Sequence, residues 1–187
     1  MKKLILASSS PRRRDLLRKI NCEFKIIPSP YVEDHTKTDF SYEFVESLAV
    51  NKALAVVPLA EEPAIVVGAD TVVVLDDKIL GKPKDEAEAY DMLKRLSGRT
   101  HSVVTGTAVI DSETHKLFHA SSTSRVTFET LSDEQIKFYI ENYKPLDKAG
   151  SYGIQEMPDG YIEKYTGSLD NIIGLDVGLL KRLLSEV

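Results

Sequence analysis

Apolar residues recur in two rhythms along this chain, short buried runs and stripes of helical spacing, and the two alternate. That alternation predicts an α/β protein built on a mixed sheet. Lys2–Ala7 reads as a buried first strand. Ser10 then stands at an N-cap with Pro11 at the first helical position, and Leu16, Leu17 and Ile20 form an apolar stripe to about Asn21. Glu23–Pro28 predicts a second strand, and Pro28-Ser29-Pro30 opens a polar loop that includes Glu33 and Asp34. From about Ser41 to Val57 the pattern predicts a long helix with Phe44, Leu48 and Ala55 facing inward.

Ala64–Leu75 is the most β-like segment, interrupted by Gly68-Ala69-Asp70-Thr71. Asp76-Asp77 predicts a hairpin turn into Lys78–Leu80. The capping box Asp85-x-x-Glu88 then opens a helix that stops at Ser97-Gly98. Thr100–Asp111 and Lys116–Phe128 read as a long antiparallel pair, and Ser132-x-x-Gln135 opens a helix to about Tyr143. Tyr161–Tyr165 reads as a strand, and Val177–Leu184 as a final amphipathic helix. Nothing in the pattern marks a repeat or a linker, so residues 1–187 are expected to form one domain.

Composition narrows the class. With 187 residues, 42% of them hydrophobic, the chain can bury roughly 70% of its unfolded surface. It needs no metal or disulfide for folding. Its apolar runs are too short for a membrane span, and the four apolar residues Leu4–Ala7 are too few for a signal peptide. A cytoplasmic protein without a membrane partner is expected. The single cysteine, Cys22, cannot form an internal disulfide and reads as a buried spacer.

Charge distribution adds a location. The net charge is −5, which argues against a nucleic-acid partner held by a broad basic face. Residues 1–20 carry Lys2, Lys3, Arg12, Arg13, Arg14, Arg18 and Lys19 against Asp15 alone, a sum of +6, so residues 21–187 carry −11. A compact cationic patch on an acidic body suits a small anionic ligand.

Several segments could carry chemistry. Ser8-Ser9-Ser10-Pro11-Arg12-Arg13-Arg14 offers hydroxyls, backbone N–H groups and guanidinium forks for phosphate oxygens, or equally an ordinary cap with solvated arginines. It is not a Walker A loop. Asp70 puts a carboxylate in a buried run, where it needs a cleft, a partner charge or a metal. Gly81-Lys82-Pro83 holds a lysine between two backbone-restricting residues, and Lys52 is an isolated cation whose default explanation is snorkelling. Asp147-Lys148-Ala149-Gly150 and Tyr152-Gly153-Ile154-Gln155 place two charges and an amide around small residues, as a ligand loop or a salt-bridged one would. His115 and His119 have helical spacing on a strand-like segment and lack the glutamate of a zinc-protease motif, and no G-x-S-x-G elbow occurs. The carboxylates Glu33 and Asp70 are hard oxygen ligands suited to Mg²⁺ or Mn²⁺ with a phosphate substrate.

Taken in order, Leu6-Ala7-Ser8-x-Ser10-Pro11-Arg12-Arg13, Glu33, Leu48-Ala49-x-x-Lys52-Ala53, Gly68-Ala69-Asp70-Thr71, Gly81-Lys82-Pro83, Leu96-Ser97-Gly98-Arg99-x-His101 and Asp147–Gln155 resemble the motifs of the Maf family. The resemblance spans essentially the whole chain. It implies a nucleoside triphosphate pyrophosphatase, cutting between the α and β phosphates with a divalent metal, Mg²⁺ or Mn²⁺. It also implies an elongated mixed sheet with helices forming two lobes around a central cleft.

By the same resemblance, Asp70 is the proton acceptor, and Ser8, Ser10, Arg12, Arg13, Lys52 and Lys82 hold the triphosphate. Glu33 and Asp70 are the implied metal ligands. Arg12, Thr71 and Gln155 stand where the family's base specificity divides. These residues are similar to the thymidine and uridine triphosphate branch, with a housecleaning role, rather than to the 7-methylguanosine triphosphate or purine-preferring branch. A nucleotide sensor that inhibits septum formation is the alternative from another class, and a homodimer is compatible with the resemblance. Near the end, Leu169 and Asp176 stand where family members commonly carry an aromatic residue and a proline.

Overall fold

Seven strands form one mixed sheet: β1 (Lys3–Leu6), β2 (Phe24–Ile26), β3 (Ala64–Leu75), β4 (Lys78–Leu80), β5 (Thr100–Asp111), β6 (Leu117–Phe128) and β7 (Ile162–Thr166). The computed structural model describes residues 2–34 and 37–187; Met1, His35 and Thr36 lie outside the described residues. The strand order is β2-β1-β3-β5-β6-β7, with β4 paired to the far end of β3. β1 runs parallel to both β2 and β3, and the remaining pairs are antiparallel. Among the described residues six α-helices pack on this sheet: α1 (Pro11–Leu17), α2 (Tyr42–Leu54), α3 (Glu86–Leu96), α4 (Asp133–Tyr143), α5 (Leu169–Ile173) and α6 (Val177–Leu184). The expected α/β class and mixed sheet are therefore observed.

The core divides along the long strands. At one end Val73, Leu80, Leu93, Val103, Phe128 and Tyr139 pack α3 and α4 on the sheet. At the other, Leu6, Leu17, Val67, Val109 and Leu180 join α1 and α6 to one face, while Ile5, Ala49, Ala53, Val66 and Ile110 join α2 to the opposite face. Each fully buried aliphatic side chain contributes about 1.5–3 kcal/mol, so both packed ends are substantial.

β3 crosses between the two ends without a break, which corrects the expected interruption at Gly68–Thr71. Asp70 keeps strand geometry opposite Gly106 of β5, because its carboxylate finds a cation instead of breaking the ladder. Two glycines explain how α2 lies above it. A Cβ at Gly68 would stand 2.2 Å from the Ala49 carbonyl oxygen, and one at Gly106 would stand 2.5 Å from that of Val45. The helix thus sinks onto bare backbone on the strand face that Asp70 shares.

That close seat also changes the inward face of α2. Val45, Leu48, Ala49 and Ala53 are buried, while Phe44 and Ala55 are only partly covered. The capping residues behave mostly as expected. The Ser132–Gln135 box forms completely, whereas Asp85 caps α3 and Glu88 accepts instead from the Lys84 N–H at 2.8 Å. The short helix α5 was not legible in the pattern.

Candidate active site

Ser10 caps α1, accepting from the Arg13 N–H at 3.4 Å, and the Ser8 hydroxyl accepts from the Ser10 N–H at 3.2 Å. The serine loop is therefore folded by its own hydroxyls, with Arg12 and Arg13 leaving the first turn of the helix. Arg13 turns inward: its Nε donates to the Gly174 carbonyl at 2.9 Å and a terminal nitrogen donates to the Thr71 hydroxyl at 3.2 Å. The chain of donors continues. The Thr71 and Thr105 hydroxyls are 2.8 Å apart, and Thr105 donates to the Asn171 carbonyl at 3.0 Å.

Asn171 is fully buried and anchors this chain, donating to Val103 and Ser124 and accepting from the Ser122 hydroxyl at 3.0 Å. Burial pulls the Arg13 guanidinium below its usual basicity; Asp70 and Glu33 oppose that pull, and Arg12 adds to it. All four groups therefore share one electrostatic neighbourhood.

On the opposite face of β3 the Lys52 ammonium meets two carboxylates. It pairs with Asp70 and lies 2.7 Å from Glu33 Oε1. Lys52 is not snorkelling, because its side chain is only 12% exposed and Asp70 only 10%. The glycine-seated helix delivers the lysine, the unbroken strand delivers Asp70, and the loop after β2 delivers Glu33.

A third group of charges lies where the Asp147–Gln155 stretch approaches α1. Asp147 pairs with Arg12 at 3.3 Å and with Lys148 at 2.9 Å, and Lys148 also reaches Glu156 at 3.1 Å. Burial pushes the Asp147 carboxyl up, but the Lys148 ammonium and the Arg12 guanidinium outweigh it and hold the group below its ordinary value. The Gly150 N–H donates to the Gly81 carbonyl at 3.0 Å, tying this segment to Lys82, whose own side chain is exposed. Gly150 is required twice: its φ is +67°, and a Cβ there would press on Val73 at 2.9–3.0 Å. Gln155 is exposed on the next turn, one residue before Glu156.

Of the residues singled out from sequence, Arg13 and Thr71 thus meet directly, as do Glu33, Lys52 and Asp70. Ser8 and Ser10 shape the loop that carries Arg12 and Arg13. Among the described residues no hydrogen bond or ion pair joins the side chains of Lys82 or Gln155 to these groups, and each is linked to them through the Asp147–Glu156 stretch.

The expected cationic patch is largely neutralised: Lys2 pairs with Asp111, Lys3 with Glu62, Arg18 with Asp15 and Lys19 with Asp170. Arg13, by contrast, bonds neutral partners among the described residues, the Gly174 carbonyl and the Thr71 hydroxyl. Sequence reasoning missed Thr105 and Asn171. Thr105 was detectable only as a polar residue alternating inward on β5, and Asn171 only from the Asn171-Ile172-Ile173-Gly174 run. Among the described residues His115 and His119 join no metal-binding group: His115 lies in the connection between β5 and β6, and His119 Nδ1 lies 2.8 Å from Glu46.

Among the described residues no three histidine, cysteine or carboxylate groups converge as a ready-made metal cage. The Glu33–Lys52–Asp70 arrangement nonetheless fits a divalent ion that takes two protein carboxylates and completes its shell with phosphate oxygens and water. One ammonium already sits between the two carboxylates, which shows that they converge on a single cationic position.

Together, the mixed sheet, the inward arginine and the two carboxylates on one ammonium define an α/β protein with a charged site on its long central strand. The comparisons with known proteins make that class specific. Residues 3–187 match the family model described as Maf-like protein, and the chain belongs to that family. It is 42% identical to a dTTP/UTP pyrophosphatase of Clostridium botulinum over 98% of both chains. It is 44% identical to one of Symbiobacterium thermophilum, over 100% of this chain and 94% of that one. Among solved structures, a HAM1 protein from Coxiella burnetii shares the fold at a TM-score of 0.51 and 19% identity, covering 100% of each chain.

Proposed function

We propose that this chain is a nucleoside triphosphate pyrophosphatase that hydrolyses dTTP and UTP to the monophosphate and pyrophosphate. The observation that carries the reading is the Lys52 ammonium set between Glu33 and Asp70, beside the inward-turned Arg13. The names of its full-length relatives agree with it.

Asp70 acts as general base. It takes a proton from water as the water oxygen attacks phosphorus, and the bond to the bridging oxygen breaks with its electrons leaving on pyrophosphate. Lys52 fixes the Asp70 carboxylate in direction. Arg13, held by Gly174 and Thr71, is already oriented before substrate arrives and stabilises charge on the phosphate oxygens, as Arg12 and Lys82 do from the rim. The hydroxyls of Ser8 and Ser10 hold the loop that presents the two arginines. Glu33 and Asp70 are the residues that would hold Mg²⁺ or Mn²⁺, which supplies Lewis-acid polarisation of phosphate oxygens and a more acidic bound water. Thr71 leaves room for Arg13 at the specificity position, and the Gln155 amide can pair with the imide edge of a pyrimidine. The enzyme would act in the cytoplasm on free nucleotides, with residues 1–187 working as one unit.

A panel of triphosphates with Mg²⁺ or Mn²⁺ and identified products tests the reading. dTTP and UTP should yield monophosphate and pyrophosphate ahead of GTP and 7-methyl-GTP. Release of inorganic phosphate with the nucleoside diphosphate, or preference for the methylated guanosine nucleotide, overturns it.

A further inference from the structure

Lys148 is a cation buried at the rim of the site, with its side chain only 9% exposed, yet the carboxylates covering it are open to solvent. Asp147 is 62% exposed and Glu156 42%. The ammonium is thus screened from water by two groups that water reaches freely. Asp147 also holds Arg12, so one carboxylate occupies the space between a guanidinium and an ammonium. That is the place a phosphate group takes when two such cations bind it.

The surroundings point the same way. Gly153 brings its backbone against the Lys148 stem, where a Cβ would stand 3.0 Å from Cε, and the Gly153 N–H is held by the Tyr139 hydroxyl at 3.1 Å. Burial pushes the Tyr139 hydroxyl up to about 12, so it stays a neutral phenol there. The lysine stem is therefore packed against backbone while its carboxylate partners face solvent. The Arg12–Asp147 pair is long, at 3.3 Å, with its carboxylate open to solvent, and pairs of that kind hold weakly against a multiply charged anion.

We propose that Lys148 is a polyphosphate-binding residue, and that Asp147 is an internal anion that Arg12 and Lys148 exchange for the substrate's phosphates. The inference rests on the function proposed above for its substrate class. It adds a cation from the Asp147–Ser151 segment to those of α1. It also makes Asp147 a competitor of the substrate.

The two residues consequently have opposite expected effects, which a merely structural role would not produce. Calorimetric titration of tripolyphosphate, in metal-free buffer, is compared for the wild type, Asp147→Asn, Lys148→Met and Lys148→Arg. Removing the competitor should tighten tripolyphosphate binding about threefold or more, and Lys148→Met should weaken it roughly tenfold, with Lys148→Arg recovering most of the loss. Weaker or unchanged binding by Asp147→Asn overturns the exchange, and unchanged binding by Lys148→Met overturns the binding role. Should Lys148→Met fail to fold, Asp147→Asn and Lys148→Arg still decide. The probe is not a nucleotide and no turnover is read, so failure of the triphosphate panel and failure of this titration are separate results.

Discussion

Two of the charged clusters at the candidate site are inverses of one another. On the α2 face of β3, one ammonium sits between two carboxylates, Lys52 between Glu33 and Asp70. At the rim, one carboxylate sits between two cations, Asp147 between Arg12 and Lys148. Each cluster holds at its centre a group whose charge matches the ligand it suits, a cation in the first and an anion in the second. The clusters differ equally in burial: Asp70 and Lys52 are nearly enclosed, and Asp147 is open. Enclosure suits a base that must keep its direction through a reaction, and exposure suits a contact that opens each time substrate enters.

Replacing Asp70 should have the largest effect. Asp70→Asn keeps the shape but not the base, and turnover of dTTP should fall by about 10³ while dTTP binding changes only a few-fold. Steady-state rates and equilibrium binding, measured together, check this. Retention of more than a tenth of the rate would remove Asp70 from the role.

Next comes the lysine that centres the enclosed cluster. Lys52→Met removes the ammonium that both Glu33 and Asp70 meet, so kcat should fall by about 10² while Mn²⁺, followed by its electron-spin resonance signal, binds more tightly. Weaker Mn²⁺ binding would mean that the two carboxylates do not form the cation site.

Gly68→Ala tests how the cluster is assembled. The new methyl meets the Ala49 carbonyl oxygen at 2.2 Å, backbone that cannot move without lifting α2. A loss of about 3 kcal/mol in denaturant unfolding is expected, with Lys52 displaced from Asp70 and activity lost beyond what instability explains.

Smallest is a pH effect in the packed core. His101 is buried against Phe128 and Tyr152, with Nε2 2.6 Å from the Tyr152 hydroxyl, and burial lowers its pKa from 6.5 to about 4. The unfolded chain then binds more protons than the folded one between those values. This contribution is intact above pH 6.5, is lost as pH falls towards 4, and amounts to at most about 3 kcal/mol. Thermal melts across pH 7 to 4 should slope downward, and His101→Gln should flatten the part due to this group.

Much of the fold was legible because strand and helix rhythms and capping residues are local signals. Ser10, Ser41, Asp85 and Ser132 all cap helices, and the β5–β6 pair lies within a residue of its expected bounds. What sequence rhythm could not supply was the depth at which α2 sits. That depth depends on Gly68 and Gly106, on different strands, meeting the same helix backbone, and it converts Lys52 from a solvated cation into the partner of Asp70. Arg13 shows the same limit. Adjacent arginines look alike in sequence, yet one is turned inward by Gly174 and Thr71 and the other outward to Asp147. The +6 count of the first twenty residues overstated the free positive charge for a related reason, since Lys2, Lys3, Arg12 and Lys19 find partners far along the chain.

One paired titration tests the inverse arrangement most directly: Mn²⁺ and, separately, metal-free tripolyphosphate, each against Glu33→Gln and Lys148→Met. The account predicts that Glu33→Gln weakens Mn²⁺ about tenfold and leaves tripolyphosphate within about twofold, while Lys148→Met does the reverse. Equal weakening of both ligands by either variant would contradict it.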